Sequence, residues 1–551
     1  MLASISHSRA KQVAVIVTAV VLVCSLQQAF VLFRAFNFGR LTGLLLWDDC
    51  AIVQKALVSL TAVSEKETLY GLVRSARILA PHSPLADAQA FFGLLLSNGN
   101  VRAPYFLSIW APIVALSAIL LALRKFEPLL LLALTIIFLQ QPLVVHSLIV
   151  LKSDLRGGVL MAAAIFVLCQ STIYQNNRLW LLGASLLGLA IISKLTTFYF
   201  PVLAICVLLC FELSRFFMDS QISSFGSMSA SSRVAAIADY LSRNQRRLCI
   251  GSVIATLPFV VFFAWASIGY DSIIGYIRYG LSSTWYDGLS APERLRVYLP
   301  GGELAWGTLQ YLLVLLLTAL IVHVWVTGKS DSLKVWFASF FAALMFLLPL
   351  VLARTSGGSY GSTFLGVVMG GVLFLASYVG SLNRTCRVLV FGVASVMAFG
   401  TYYPLEDKLD DARKQSRATY VQLVNDIIAR ETSAHPSVLV TFEDEIAGYP
   451  NIALLHFEKN RMLPDVSRMD NLIPAADALG QIRRANFVLT LDPAGANDVA
   501  GYMLGKQFPA SQNLKAVDHL VASQSGKILL KTYPWKNSTL KLYGEAVQNS
   551  Q

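Results

Sequence analysis

Two adjacent aspartates, Asp48 and Asp49, are the residues of this chain whose type and position best suit catalysis. They lie about fifteen residues beyond the first long hydrophobic run, residues 13–33, where a membrane segment would meet water. A carboxylate there can deprotonate an acceptor hydroxyl or hold a divalent cation such as Mg²⁺ or Ca²⁺. The alternative interpretation is a solvated turn whose side chains cap a helix starting near Ala51.

His82 is a second candidate, and it stands between Pro81 and Pro84 further along the same loop. The two prolines predict a turn. An imidazole presented on a turn can contact a substrate, bind a metal or carry a proton. The alternative is a solvated loop histidine with no role.

Three short segments between hydrophobic runs carry cations that could bind a phosphate. Arg156 follows Asp154 in one turn, and Lys194 lies between two short apolar runs. Arg354 opens a glycine-rich turn that reaches Tyr360. A charge at such a place is costly unless it snorkels, pairs or binds a ligand, and an arginine suits a phosphate. We expect phosphate contacts from the three cations and further substrate or metal contacts from Asp154 and Tyr360. The alternatives are snorkelling, a pair between Asp154 and Arg156, and an ordinary flexible turn.

The elements that must position these residues are predicted to be membrane-spanning helices. Of the 551 residues, 56% are hydrophobic and 14% are charged, whereas soluble proteins carry about 25% charged residues. About eleven runs are long enough to cross a bilayer, and they fall near residues 13–33, 104–123, 129–150, 157–173, 179–193, 198–213, 249–267, 305–327, 335–353, 364–382 and 388–403. The net charge of +12 arises before Pro404. We therefore expect the lipid bilayer and phosphates as partners, and not nucleic acid.

Basic residues in the short loops predict the orientation of the chain. Arg9 and Lys11 precede the first span, and the Ser-rich loop 214–247 carries several arginines. The positive-inside rule places both on the cytoplasmic side, with the 214–247 loop flexible. The opposite side then receives the loop 34–103 and residues 404–551. We expect an integral protein of a bacterial inner membrane.

Two domains are predicted. Residues 1–403 form a polytopic helical membrane domain, and its outer loop 34–103 carries the acidic pair and two helices near 51–63 and 85–96. Residues 404–551 have a soluble composition and predict a small extracytoplasmic α/β domain. Its expected strands lie at 437–441 and 486–491 and its expected helices at 410–430 and 473–484. The predicted fold class is therefore mostly α, a polytopic membrane protein with a C-terminal soluble α/β domain.

The order of these motifs resembles that of the GT-C glycosyltransferases. This class includes the lipid A aminoarabinose transferases, the protein O-mannosyltransferases and the mycobacterial arabinosyltransferases. Such enzymes begin with one span and a long outer loop that opens with an acidic pair. Many then carry a His-Pro-Pro-Leu-like turn, an apolar stretch, a glycine, and an arginine entering the second span. The matching residues here are Asp48-Asp49, His82-Ser83-Pro84-Leu85, Phe91-Phe92-Gly93-Leu94, Gly99 and Arg102-Ala103-Pro104. The resemblance covers roughly residues 10–400 and departs at Ser83, where many relatives have a second proline.

The resemblance implies a reaction and its partners. GT-C enzymes take a sugar from a polyprenyl-phosphate carrier and transfer it, usually with inversion, to an acceptor outside the cytoplasm. The acceptor would be a cell-envelope glycan, lipid or protein. The general base would be Asp48 or Asp49, and the donor phosphate would meet Lys194, Arg354 or Arg156. The residues alone leave open a transporter or flippase of a lipid-linked or anionic substrate, which would use intramembrane charges as its path.

Overall fold

The structure is a computed structural model of the chain. It describes residues 7–45, 47–65, 84–122, 128–140, 142–151, 154–173, 175–193, 205–206, 208–213, 216, 228–266, 290, 292–293, 388, 391–392, 395, 411–431, 436–442, 449–468, 475–493, 510–535 and 538–545.

Up to residue 266 the described part of the chain is helical. Its helices are α1 (His7–Phe38), α2 (Trp47–Glu65), α3 (Pro84–Leu96), α4 (Ala103–Phe106), α5 (Trp110–Ala122), α6 (Pro128–Leu139), α7 (Pro142–Leu148), α8 (Asp154–Ile173), α9 (Asn177–Ser193) and α10 (Ala230–Ala266), with single 3-10 turns at Arg40–Thr42 and Leu107–Ile109. The outer-loop helices predicted near 51–63 and 85–96 are confirmed as α2 and α3.

Two stretches within the described residues are long and apolar enough to cross a membrane, Val13–Phe38 and Ala103–Ala122. Shorter apolar helices lie at Leu85–Leu96, Arg156–Leu168 and Asn177–Ser193. The four runs expected between residues 305 and 403 fall almost wholly outside the described residues. The figure of about eleven spans therefore stays a prediction.

Helix α1 has the surface expected of a lipid-facing span. Leu22, Leu26, Phe30 and Phe33 are all exposed although they are large and apolar. Spacings of three and four residues place them on one face of the helix. A row of exposed apolar side chains is unfavourable in water and suits hydrocarbon.

Two predicted boundaries differ from the structure. The run expected as one span at 129–150 is two helices, because Pro142 has no backbone N–H and begins the new helix α7. The expected flexible loop 214–247 is helical from Ala230 onward, where it forms the first half of α10. Ser229 acts as the N-cap of α10, since its Oγ accepts a hydrogen bond from the Ser232 N–H at 3.2 Å.

The contacts within the chain divide it into two compact units. The first unit comprises Met1–Leu32, Ala76–Gln89 and Phe106–Tyr403. The second comprises Phe33–Ser75, Ala90–Tyr105 and Pro404–Gln551. The acidic pair therefore belongs to the same unit as the C-terminal α/β region.

That α/β region contains one five-stranded sheet. Its elements are α11 (Asp411–Ile428), β1 (Ser437–Val440), α12 (Pro450–Asn460), β2 (Asp465–Arg468), α13 (Ala475–Arg484), β3 (Phe487–Pro493), α14 (Ala510–Gln524), β4 (Ile528–Trp535) and β5 (Ser538–Gly544). The strand order is β2-β1-β3-β5-β4, with β2, β1 and β3 parallel and the β3–β5 and β5–β4 pairs antiparallel. The predicted α/β character is confirmed, and so are the two strands and two helices expected from the sequence.

Both faces of this sheet are buried. Val438 and Val440 pack into one cluster, with Tyr420 of α11. Leu439, between them in the chain, packs on the opposite face with Ile482 of α13. Alternate strand residues point to opposite faces, so the three consecutive apolar residues Val438–Val440 are what a sheet covered on both sides requires.

Candidate active site

The acidic pair lies in the first turn of α2. Asp48 and Asp49 are the second and third residues of this helix, which begins at Trp47. The prediction of a helix starting near Ala51 was therefore four residues late. Backbone N–H groups of a first turn have no partner within the helix, and the helix dipole is positive there, so a carboxylate is stabilised at this position. Asp49 is also buried, with 1% of its surface exposed.

Tyr105 holds the Asp49 carboxylate. The tyrosine hydroxyl donates a hydrogen bond to Asp49 Oδ2 at 3.1 Å, and the tyrosine is itself fully buried. The Phe36 ring meets the Tyr105 ring edge to face at 6.3 Å between centroids, and the Arg102 guanidinium lies over Phe36 at 5.1 Å. Aromatic contacts of this kind fix the ring. The hydroxyl therefore meets the carboxylate in a defined direction.

Gly93 allows Tyr105 to reach this place. A Cβ on Gly93 would lie 2.6 Å from Pro104 Cα, so α3 and α4 touch through their backbones. Only glycine permits this approach. Gly93 of the apolar stretch and the Arg102-Ala103-Pro104 motif of the sequence resemblance thus meet beside the acidic pair, within the second unit.

Arg156 forms a separate polar cluster in the first unit. Its guanidinium donates to the Gln89 side-chain oxygen, to the Val150 carbonyl at 2.8 Å and to Ser108 Oγ at 3.4 Å. Gln89 Nε2 donates to the same Ser108 Oγ at 3.0 Å. Arg156 is 2% exposed. A buried guanidinium with these acceptors links α3, α8 and the turn before α5.

A buried carboxylate that the sequence analysis did not single out lies on α3. Asp87 is in the first turn of this helix and is 1% exposed. Gln89 follows two residues later and contacts Arg156. Asp87 and Gln89 are the two polar residues of the otherwise apolar segment 85–96. Because buried polar groups require partners, their presence could have predicted a buried polar cluster on this helix.

A further buried charge lies beside α10. Glu212 is fully buried, and Arg247 reaches one of its carboxylate oxygens at 2.8 Å. The same guanidinium covers the Trp180 ring at 4.5 Å from its centroid. A buried pair with an aromatic partner is suited to anchoring the start of the apolar half of α10.

The remaining predicted site residues are placed only in part. Asp154 is the first residue of α8, and its side chain, like that of Asp48, is outside the described part of the chain. His82, Lys194, Arg354 and Tyr360 lie outside the described residues. Among the side chains that the structure describes, no three His, Cys, Asp or Glu residues are grouped closely enough to hold a metal. Dependence on Mg²⁺ or Ca²⁺ stays a prediction.

Comparison with known proteins adds a structural likeness. No protein-family model matches the sequence, and no curated protein matches it. The chain is similar in structure to the crystal structure of ArnT from Cupriavidus metallidurans in the apo state. The TM-score is 0.57 at 11% sequence identity, over 97% of this chain and 98% of that one. The chain has the GT-C fold. Within the described residues this likeness is accompanied by two helices that are long and apolar enough to cross a membrane.

At 11% identity the likeness is one of fold, and it supports the GT-C fold that the sequence resemblance implies. It covers nearly the whole chain, so the C-terminal α/β region is included as well as the helices.

Proposed function

We propose that this protein is a membrane glycosyltransferase that moves a sugar from a polyprenyl-phosphate donor to an acceptor outside the cytoplasm. The acceptor is a cell-envelope glycan, lipid or protein. The observation that carries the proposal is a GT-C fold over 97% of the chain combined with a buried carboxylate, Asp49, in the first turn of α2. A lipid-linked donor suits a fold in which lipid-facing helices and a polar site belong to one chain.

The acidic pair supplies the base in this proposal. Asp48 or Asp49 accepts the proton of the acceptor hydroxyl while the hydroxyl oxygen bonds to the anomeric carbon. The bond between that carbon and the donor phosphate breaks, and its electron pair leaves with the phosphate. Attack from the face opposite the phosphate inverts the anomeric centre. The other aspartate orients the base or holds a divalent cation.

Cations stabilise the phosphate as its negative charge grows. A charge that develops only as the bond breaks is stabilised more in the transition state than in the ground state. We assign this role first to Lys194 and then to Arg354. Arg156 comes third, because its described contacts are all with protein acceptors. His82, Asp154 and Tyr360 are proposed as further substrate or metal contacts.

The proposed orientation follows the basic residues of the loops. The N-terminus faces the cytoplasm, and residues 404–551 lie outside it, in a bacterial inner membrane. The acceptor then meets the acidic pair on the outer side of the membrane.

Single asparagine variants of the pair test the proposal. Envelope glycans, lipids and proteins of a deletion strain are compared with those of the wild type by mass spectrometry, which identifies the missing sugar. An envelope extract of the deletion strain holds unused donor and unmodified acceptor and serves as substrate for the purified protein. Because general-base catalysis contributes roughly 10²–10⁴-fold, we expect Asp48→Asn or Asp49→Asn to lose turnover on that scale while remaining folded. Wild-type turnover in both variants would overturn the assignment, and an unchanged envelope in the deletion strain would overturn the function.

A further inference from the structure

The chain just before the acidic pair is held by a residue of the C-terminal region. The Leu45 N–H donates to Asn451 Oδ1 at 3.2 Å, and Asn451 Nδ2 donates to the Leu45 carbonyl at 2.8 Å. One side-chain amide thus satisfies both backbone groups of Leu45. Leu45 lies two residues before α2 and four before Asp49.

Asn451 is built to hold this position. It is the second residue of α12 and is 2% exposed, and the preceding Pro450 opens the helix. The next residue, Ile452, is fully buried in the core of the α/β region. A buried amide with paired bonds to one residue has little freedom to turn, because each broken bond would leave a buried polar group unsatisfied.

Two further contacts tie the same segment to the C-terminal region. Leu44 belongs to the hydrophobic cluster that includes Tyr420 and Val440 of the α/β region. Arg417 of α11 donates to the Thr42 carbonyl at 2.6 Å. Residues 404–551 therefore hold the segment 42–45 in three ways: apolar side chains pack around Leu44, the Arg417 guanidinium binds the Thr42 carbonyl, and the Asn451 amide binds Leu45.

We propose that Asn451 is a positioning residue for the acidic pair, and that the C-terminal α/β region serves catalysis by fixing how the chain enters α2. The proposal rests on the proposed function for its catalytic half. Tyr105 fixes the Asp49 side chain, and Asn451 fixes the backbone from which both aspartates project. A carboxylate base acts only within hydrogen-bond reach of its proton, so a small shift of this backbone would lower turnover.

The test compares Asn451→Ala with Asn460→Ala. Asn460 is on the same helix, and its Nδ2 donates to Glu431 Oε1 at 2.8 Å, away from the 42–45 segment. The two variants therefore carry the same chemical change in the same helix. Hydrogen exchange of the detergent-purified protein should show faster exchange at Leu45 and the first turn of α2 in Asn451→Ala only.

Turnover is then measured on the deletion-strain extract at increasing extract concentrations. A misplaced base lowers kcat and leaves the half-saturating extract concentration near that of the wild type. We expect a loss of about 10–100-fold in kcat for Asn451→Ala, and wild-type kinetics per folded molecule for Asn460→Ala.

Equal kcat in the two variants would overturn the positioning role. Unchanged exchange at residues 42–49 in Asn451→Ala would show that the amide does not hold the segment. Absence of any product from the wild-type protein would overturn the proposed function and the catalytic half of this inference, while the exchange result would still decide the structural half.

Discussion

Replacing Arg156 by methionine separates two roles that the residue could have. The side chain is 2% exposed and donates to Gln89, Ser108 and the Val150 carbonyl. Methionine keeps most of the volume but removes every donor. An unsatisfied buried acceptor costs about 1–3 kcal/mol, and Arg156→Met removes a donor from three acceptors. We therefore expect Arg156→Met to destabilise the first unit by about 3 kcal/mol.

The assay is thermal unfolding of the detergent-solubilised protein, followed by intrinsic fluorescence at one scan rate. In a chain of 551 residues, about 3 kcal/mol lowers the apparent melting temperature by roughly 2–3 °C. Arg178→Met is the matched control, because Arg178 is exposed on α9 and its loss should change the apparent melting temperature little. Arg156→Lys keeps the charge but not the forked donors, so it should fall between the wild type and Arg156→Met.

Titration with a polyprenyl phosphate completes the experiment. If Arg156 links helices, the folded fraction of Arg156→Met binds this lipid as the wild type does. An unshifted melting temperature together with lost lipid binding would refute the structural role. That outcome would make Arg156 a phosphate ligand, as its charge and position in the sequence first predicted.

Two further predictions concern single hydrogen-bonded groups. Tyr105→Phe removes the hydroxyl that donates to Asp49. A hydrogen bond to a charged group is worth about 1.5 kcal/mol, so turnover on the envelope extract should fall about tenfold. Unchanged turnover would show that this hydrogen bond does not contribute to catalysis. Burial raises the pKa of Asp518, but hydrogen bonds from Lys541 and Thr490 outweigh burial and hold that pKa below its usual range. Asp518 therefore contributes stability above its unfolded pKa of about 3.9 that is lost as pH falls through its lower folded value. Asp518→Asn should lower the melting temperature at pH 7. The fall of the melting temperature below about pH 5 should be smaller in this variant than in the wild type. An equal fall in both proteins would show that Asp518 does not cause it.

Elements defined by a run of residues could be predicted from the sequence. The strands β1 and β3 are short apolar segments between polar turns, and α2 and α3 repeat apolar residues at helical spacing. Boundaries that depend on one residue were missed. Pro142 divides an apolar run into two helices, and Ser229 caps α10 within a Ser-rich stretch. Because neither residue changes the average composition around it, composition did not predict either boundary.

Candidate site residues could be named from the sequence where charge marked them. Asp48 and Asp49 stood out as acids at a predicted membrane boundary, whereas Tyr105 and Asn451, which contact Asp49 and Leu45, carry no charge. Tyr105 lies 56 residues from Asp49 in the sequence, and Asn451 lies 406 residues from Leu45. Contacts over such separations depend on the tertiary fold, and no local pattern of residue types records them.

The second unit is discontinuous in the sequence, and this sets an order on its biosynthesis. The segments Phe33–Ser75 and Ala90–Tyr105 leave the ribosome long before Pro404–Gln551, which completes the unit. Roughly 300 residues lie between Tyr105 and Pro404, so at about 5–20 residues per second the acidic pair waits on the order of 15–60 s for its partners. During that interval Leu44 lacks its hydrophobic cluster and Leu45 lacks Asn451. In the newly made protein the segment before the acidic pair therefore gains these contacts only after residues 404–551 have been translated.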